Sequence, residues 1–406
     1  MTDPSSRPGP NGIAGFARHG RLRTSGPAAA ILRFLAAAIA VILVSALCVV
    51  AITANQLVSS EKTINIHPGE AVAPPPSIGA YPGGFNILIV GSDTRAGQGG
   101  IGAGAGSGGA LNDVTMLLHV SGDHTSATAV SIPRDMVVPM PACPLGGPAT
   151  GLPINNTLSY GGLPCVVSTV EDLTGLKIQF AGMITFRGVI EMSNAVGGVP
   201  VCVKGNLNDS EVGLHLTSGT HVLKGYTALK FLRSRHGVGD GSDLGRISSQ
   251  QVYLSSLVRT LKSSGTLSNL GTLYKIASAA TRNMQLSTSL KPLDTQIAIA
   301  QALKNIQLDK VTFLQYPGTL GGTGIFAGKV QPETAKADAL FALIKADKPF
   351  TLGTTATSIG SVPDKSKPST TPTPSASSTD SPSNTVLNGY LGQTAGQYTC
   401  SKANSQ

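Results

Sequence analysis

Phe85-Asn86-Ile87-Leu88-Ile89-Val90-Gly91-Ser92-Asp93-Thr94-Arg95 decides how the rest of the chain is read. It begins as a short, mostly apolar run that ends at Gly91, the pattern of a buried strand. Asp93 and Arg95 follow at once, and α/β folds gather their ligands beyond the carboxyl ends of strands. Val114 to Val120 and Ala127 to Ile132 read as two more strands. Asn112-Asp113 begins the first of these. The second runs into Ser131-Ile132-Pro133-Arg134-Asp135, again charge directly after a strand. Between strands one and two, residues 97–109 form a glycine-rich loop without charge. Residues 166–174 and 186–196 have helical spacing, and Val199-Pro200-Val201-Cys202-Val203 reads as a strand after a Gly197-Gly198 turn. Residues 243–263 are the clearest helix, with Leu244, Ile247, Val252, Leu254, Leu257, Val258 and Leu261 as a broad apolar stripe. Strands interleaved with helices point to an α/β or α+β sandwich.

Charge is scarce in this chain, so its placement is informative. The 406 residues include 13% charged side chains, about half of the roughly one quarter usual in soluble domains. With 41% hydrophobic residues the chain can build a core, and wholly disordered chains are richer in charge. The net charge of +9 (30 basic, 21 acidic) is too small for a histone-like or ribosomal protein. Part of it reflects topology. Residues 1–33 hold Arg7, Arg18, Arg21, Arg23 and Arg33 against one acid, Asp3. Phe34 to Ala54 then carries no charge over 21 residues, and about 20 span a bilayer as a helix. Arginines before such a segment predict a cytoplasmic N-terminus and a single-pass membrane protein with everything after Ala54 outside. A cleaved signal peptide is the competing reading, but its apolar run would be shorter. Cys48 follows the bulky Leu47, which does not suit a lipoprotein site. Beyond the tail, 25 basic and 20 acidic residues remain, so nucleic acid is not an expected partner.

The expected organisation is a basic tail (1–33), a membrane helix (34–54), a stalk (55–84), one globular domain (85–353), a disordered Ser/Thr/Pro linker (354–385) and a short tail (386–406). Four cysteines lie outside the membrane segment: Cys143, Cys165, Cys202 and Cys400. In an oxidising compartment an even count suggests disulfides. Three pairings are possible. Cys143–Cys165 with Cys202–Cys400 would tie the tail back to the domain, and one pair with two free thiols is the other outcome. Metal binding by the cysteines is disfavoured, since no CxxC occurs.

Charge gathers most densely in Phe231 to Gln250, FLRSRHGVGDGSDLGRISSQ, which holds Arg233, Arg235, Asp240, Asp243 and Arg246. On a strand, Arg233 and Arg235 would share one face. On a helix, Asp243, Arg246 and Gln250 fall within an arc of about 60°. Guanidinium forks match phosphate oxygens, and Asp93 and Asp113 are carboxylates of the kind that hold Mg²⁺ or another hard cation beside phosphates. A surface ion-pair network is the plainer reading; Arg134, for example, could pair with Asp135. His236 reads as structural. There is no GxSxG motif, and GSDTRAGQGG lacks the Gly-Lys-Ser/Thr ending of a P-loop.

Taken together these motifs resemble the LytR-CpsA-Psr family of cell-wall glycopolymer transferases, actinobacterial type, over Phe85 to Lys262. The resemblance rests on Asn86 to Arg95, Asp113, Ser131 to Asp135, Ile154-Asn155 with Tyr160-Gly161-Gly162, Val196 to Val199, Arg233-Ser234-Arg235, and Asp243-Leu244-Gly245-Arg246 with Gln250. It implies an α/β fold, a three-layer α-β-α sandwich around a mixed central sheet, with an apolar groove for a lipid and an N-terminal transmembrane helix. It implies transfer of a glycopolymer from a polyprenyl-pyrophosphate carrier to peptidoglycan, leaving a phosphodiester. By matching position Arg95, Arg134, Arg233, Arg235 and Arg246 would clamp the pyrophosphate with Gln250 assisting, and Asn155 would contact substrate. Asp93 and Asp113 would hold Mg²⁺ (or Mn²⁺), and Asp243 would orient the arginines or the metal. Three positions depart from the family pattern. Leu111-Asn112-Asp113-Val114 stands where Arg-Ser-Asp-Thr is common, Ser249 where many members have Arg, and Asn194 where Asp is usual. A pyrophosphatase on the same lipid and a non-catalytic wall-binding or sensory protein are the alternatives.

Overall fold

The computed structural model describes residues 62–70, 81–94, 110–263, 270–353, 359–367 and 385–404. The expected basic tail 1–33, the membrane helix expected at 34–54, Arg95 and the loop 97–109 lie outside the described residues. Among the described residues no helix is long and apolar enough to cross a membrane.

In chain order the elements that build the domain are β1 (Lys62–Ile64), β2 (Phe85–Ser92), β3 (Asn112–Val120), β4 (Ala127–Ile132), α1 (Thr157–Thr174), β5 (Phe180–Ile184), α2 (Phe186–Ala195), β6 (Val199–Lys204) and β7 (Gly219–Leu223). There follow α3 (Gly225–Arg233), α4 (Asp243–Ser263), α5 (Leu270–Asn283), β8 (Met284–Ser287), α6 (Leu293–Lys304), β9 (Val311–Gln315), α7 (Thr334–Lys345), β10 (Ser361–Pro363), β11 (Gly392–Thr394) and β12 (Thr399–Lys402). The central sheet has eight strands in the order β1-β8-β5-β2-β3-β4-β9-β11. It is mixed: β5 with β2 and β4 with β9 are parallel, while β2-β3-β4 is antiparallel.

Both faces of the sheet are buried, and the register explains how. Ala181, Leu88, Leu117, Val130 and Leu314 pair in one row across β5, β2, β3, β4 and β9. Their side chains form one core with Leu163, Val167 and Val170 of α1 and Leu340 and Phe341 of α7. Strand side chains alternate between faces, so Phe85, Val120, Ala127 and Phe180 point the other way, against Ile299 and Ala302 of α6. The apolar run read from the sequence is therefore a central strand with neighbours on both faces, which is why it lacks a polar alternation.

α1 begins nine residues before its periodic stretch is legible, at Thr157 rather than 166. The chain is non-helical at Gly161 and Gly162, with Pro164 following, so the pattern is interrupted there. Gly162 has φ +67°, and a Cβ on Gly161 would meet Pro144 at 2.6 Å beside the Cys143–Cys165 disulfide. The Gly-Gly pair thus lets the helix kink against the disulfide.

Three boundaries differ from expectation. The presumed stalk contributes β1 to the sheet edge and buries Ile66 in the core. The presumed linker contributes β10, paired with β12. The presumed tail contributes β11 to the opposite sheet edge and β12 to a second sheet, β10-β12-β6-β7. Cys400 and Cys202 are register neighbours in β12 and β6 and form the second disulfide. Each of these short strands has too few residues to show a period, and long-range pairing alone gives it a place.

α4 spans Asp243–Ser263, as its periodicity predicts. Its polar residues are nevertheless buried as well. Gln315 on β9 donates to the Leu244 carbonyl and to Ser248 Oγ, both at 2.9 Å. Gln393 on β11 donates to the Gln251 carbonyl at 3.1 Å and to Ser255 Oγ at 2.7 Å, and Ser249 meets Ser401 at 2.7 Å. The helix is gripped by polar ladders from both sheets.

Candidate functional site

The site forms where β2 and β4 end and β3 and α4 begin. The pairing of β2 with β3 shifts between Gly91 and Ser92, so that Gly91 faces Val114 while Ser92 faces Asn112. Asp113 is the extra residue of this β-bulge, a feature that re-aims a side chain at the end of a ladder. Asp93 lies opposite Leu111: its backbone N–H donates to the Leu111 carbonyl at 3.1 Å, and its Oδ1 accepts from the Leu111 N–H at 2.8 Å. Asn112 is fully buried and accepts from Thr157 Oγ1 and Leu158 N–H at 3.1 and 3.2 Å, fixing the bulge to the start of α1.

Around Asp113 the charges close into a ring. Arg134, just past β4, places Nη1 2.6 Å from Asp113 Oδ1. Its backbone N–H donates to Asp243 Oδ2 at 3.1 Å. Asp243 Oδ1 lies 2.6 Å from Arg246 Nη2, one turn along α4. That same nitrogen donates to the Asp113 carbonyl at 2.9 Å. Asp135 extends the ring outward, 3.5 Å from Arg134 Nε and 3.7 Å from Arg235 Nη1. Burial opposes the Arg134 charge, but Asp113, Asp135 and Asp243 outweigh it and hold the guanidinium above its ordinary range.

Exposure grades through the ring. The Asp243 and Arg246 side chains are 2% and 6% exposed, forming a floor, whereas Arg134 and Arg235 are 26% and 36% exposed. Arg246 Nε is buried and has no hydrogen-bond acceptor among the described residues. A buried guanidinium donor left over in this way suits an anionic oxygen.

Of the other predicted residues described, Asn155 touches the backbone of the ring, and Arg233 and Gln250 meet at the end of α3. Asn155 donates its backbone N–H to the Arg134 carbonyl at 3.2 Å, so it braces the arginine's backbone. Arg233 and Arg235 do not share a strand. Arg233 closes helix α3, and Arg235 lies in the loop beyond Ser234. The reason is the burial of Ala228, Leu229 and Phe231 on a helical face, with Lys230 and Arg233 in the last turn, where cations are favoured. The Arg233 guanidinium stacks over the Phe186 ring at 4.5 Å. Gln250 Nε2 donates to the Leu232 carbonyl at 2.8 Å, tying α4 to the end of α3.

Two contributors were not singled out from the sequence as site residues. From the sequence Asp135 reads only as an ion-pair partner of Arg134. Asp209 gave no signal at all. It is buried, and its Oδ2 accepts from Ser234 Oγ at 2.7 Å, Arg235 N–H at 3.0 Å and Gly237 N–H at 3.1 Å, so one carboxylate shapes the arginine loop. Burial pushes its pKa up, but those hydrogen bonds prevail and leave it below the ordinary carboxylate range.

Comparison with known proteins bears on this arrangement. Residues 48–344 match the LytR_cpsA_psr family. The cell wall biosynthesis protein LcpA of Corynebacterium glutamicum is 31% identical over 281 residues, 62% of this chain and 53% of that protein. The polyisoprenyl-teichoic acid–peptidoglycan teichoic acid transferase TagU of Enterococcus faecalis is 29% identical over 240 residues, 57% of this chain and 72% of that protein. The chain spans about half the length of the first of these. Among solved structures, TagV of B. subtilis superposes with a TM-score of 0.53 at 23% identity, covering 66% of this chain and 98% of TagV. A LytR-Csp2A-Psr enzyme from Actinomyces oris superposes with a TM-score of 0.51 at 20% identity, covering 70% and 95%. These likenesses establish the mixed α/β fold.

Proposed function

Because the chain belongs to the LytR_cpsA_psr family, we propose that it is a phosphotransferase that moves a glycopolymer from a polyprenyl-pyrophosphate carrier onto peptidoglycan. The observation that carries this reading is the Asp113–Arg134–Asp243–Arg246 ring at the strand ends, with a buried guanidinium donor to spare. In the reaction an acceptor-sugar hydroxyl attacks the phosphorus that bears the glycan. A new P–O bond forms, the bridging P–O bond breaks, polyprenyl phosphate leaves and the hydroxyl proton is released. Such chemistry needs positioning and charge stabilisation more than covalent help. Arg134 and Arg235 stand at the open side to meet the phosphates, and Arg246 backs them. By the family resemblance Arg233 and Arg95 would add to the clamp, with Gln250 and Asn155 holding its frame.

The donor set fits a hard cation, since Asp93 and Asp113 are carboxylates at the ends of adjacent strands, and Mg²⁺ is held by one or two carboxylates plus substrate phosphates. Mg²⁺ or Mn²⁺ bound there would neutralise charge on the phosphate oxygens. The name of the Enterococcus relative, a transferase from polyisoprenyl-teichoic acid to peptidoglycan, supports the same substrate classes here. The membrane helix at 34–54, with its N-terminus in the cytoplasm, would keep the site beside a lipid-linked donor.

The test is to incubate the full chain with a synthetic polyprenyl-pyrophosphoryl oligosaccharide, Mg²⁺ and peptidoglycan oligomers. Covalent oligosaccharide–peptidoglycan product is expected, and Arg134→Ala should lower its rate by about 100-fold. Polyprenyl phosphate and oligosaccharide phosphate formed without peptidoglycan product would instead make the protein a pyrophosphatase, and the absence of both reactions would make it a binding protein.

A further inference from the structure

The family match ends at residue 344, yet the last described residues reach back to the arginine loop. Gly239 donates its N–H to the Lys402 carbonyl at 2.9 Å, and Asn404 donates its N–H to the Gly237 carbonyl at 2.9 Å. The Asn404 side chain adds a third bond, Nδ2 to the His236 carbonyl at 3.0 Å. Val238 and Ala403 form a β-bridge and share a buried core with Val203 and Leu207. The loop between α3 and α4 is therefore held from two sides. Asp209 binds the N–H groups at its start, and the chain's C-terminal segment binds its middle.

The C-terminal segment is itself firmly placed. Lys402 donates to the Gly360 carbonyl and Ala403 to the Lys204 carbonyl, each at 2.9 Å. Position 360 comes so close to the first turn of α4 that a Cβ there would meet the Gly245 carbonyl oxygen. The neighbouring Cys400 is cross-linked to Cys202. A loop carrying a phosphate-binding arginine needs its backbone fixed, because a misplacement of about 1 Å can cost about 100-fold in rate.

We infer that the segment Lys402–Asn404, outside the family match, is a positioning element of the active site, with Asn404 the positioning residue for the loop that carries Arg235. What the loop positions is taken from the phosphotransferase reading. The clamp itself stands on the hydrogen bonds alone. Asn404→Ala removes the bond to His236 without touching the core, and Asn404→Asp keeps the shape but sets an acceptor against a carbonyl.

Three measurements on the full-length protein test this. Hydrogen exchange of amides 236–241 should rise about tenfold in both variants while the core strands stay protected. The melting temperature should stay within about 2 °C, as a single exposed-side hydrogen bond adds little to global stability. Affinity for farnesyl pyrophosphate should fall severalfold and kcat for transfer about tenfold, more than KM changes. Unchanged exchange in the loop overturns the inference. So does a loosened loop with wild-type farnesyl-pyrophosphate affinity and kcat, since the segment would then be structural only. A wild type that transfers nothing would defeat the phosphotransferase reading, while exchange and pyrophosphate affinity would still decide the clamp.

Discussion

Asp243→Asn isolates the floor of the site. Asp243 and Arg246 are almost fully buried, 2.6 Å apart, and Asp243 also accepts the Arg134 backbone N–H. Breaking a buried ion pair from one side costs about 3–5 kcal/mol, because the remaining charge stays desolvated without its counter-charge. Here Arg246 keeps one further acceptor, the Asp113 carbonyl at 2.9 Å, so the low end, about 3 kcal/mol, is expected. Against a total stability of about 5–15 kcal/mol this is a large fraction that leaves the domain folded. Urea unfolding followed by circular dichroism gives the number. Arg246→Met should cost about as much, and the double variant should cost about 2 kcal/mol less than the sum of the two. Transfer activity should be low in all three, because Arg246 is either absent or released from its position. The reasoning fails if Asp243→Asn lies within about 0.5 kcal/mol of wild type, or if the two single effects simply add.

Two further outcomes follow from the same structure. Asp209 has a folded pKa below its unfolded value of about 3.9, so its contribution to stability is complete above that pH and is lost as pH falls through the lower folded value. Asp209→Asn should thus lower stability at neutral pH and flatten its decline below about pH 4, and an unchanged acid limb would argue against the assigned hydrogen bonds. The two disulfides close loops of very different length, 22 residues for Cys143–Cys165 and 198 for Cys202–Cys400. Chain-entropy reasoning puts the double serine variant of the longer one about 2 kcal/mol below that of the shorter, measured by denaturant titration; the reverse order would show that the reduced chain is already constrained.

Much of the site was legible because its signals are local. A strand of apolar residues ending in charge, a helix with Asp243 and Arg246 three apart, and a chain poor in charge made the residues of the charged ring stand out. The strand placement of Arg233 and Arg235 failed because a two-residue spacing carries no information about the helix preceding it. Asp209 was invisible because it sits alone in the hairpin Leu207–Asp209/Leu214–Leu216, and its importance comes only from what packs against it.

By itself the sequence determined the central strands, the helix 243–263, the charge cluster and four cysteines beyond the apolar segment 34–54, since each depends on period or composition within a few residues. Tertiary structure decided the rest. The bulge that lifts Asp113 toward Arg134 arises from the register between two strands. The serine and glutamine ladders that bury α4 need β9 and β11 alongside it. The last strand, Thr399–Lys402, gains its role only through pairing with β6, about 200 residues earlier in the chain. Hydrogen-bond satisfaction and long-range pairing are properties of the assembled chain, and no window of sequence contains both partners.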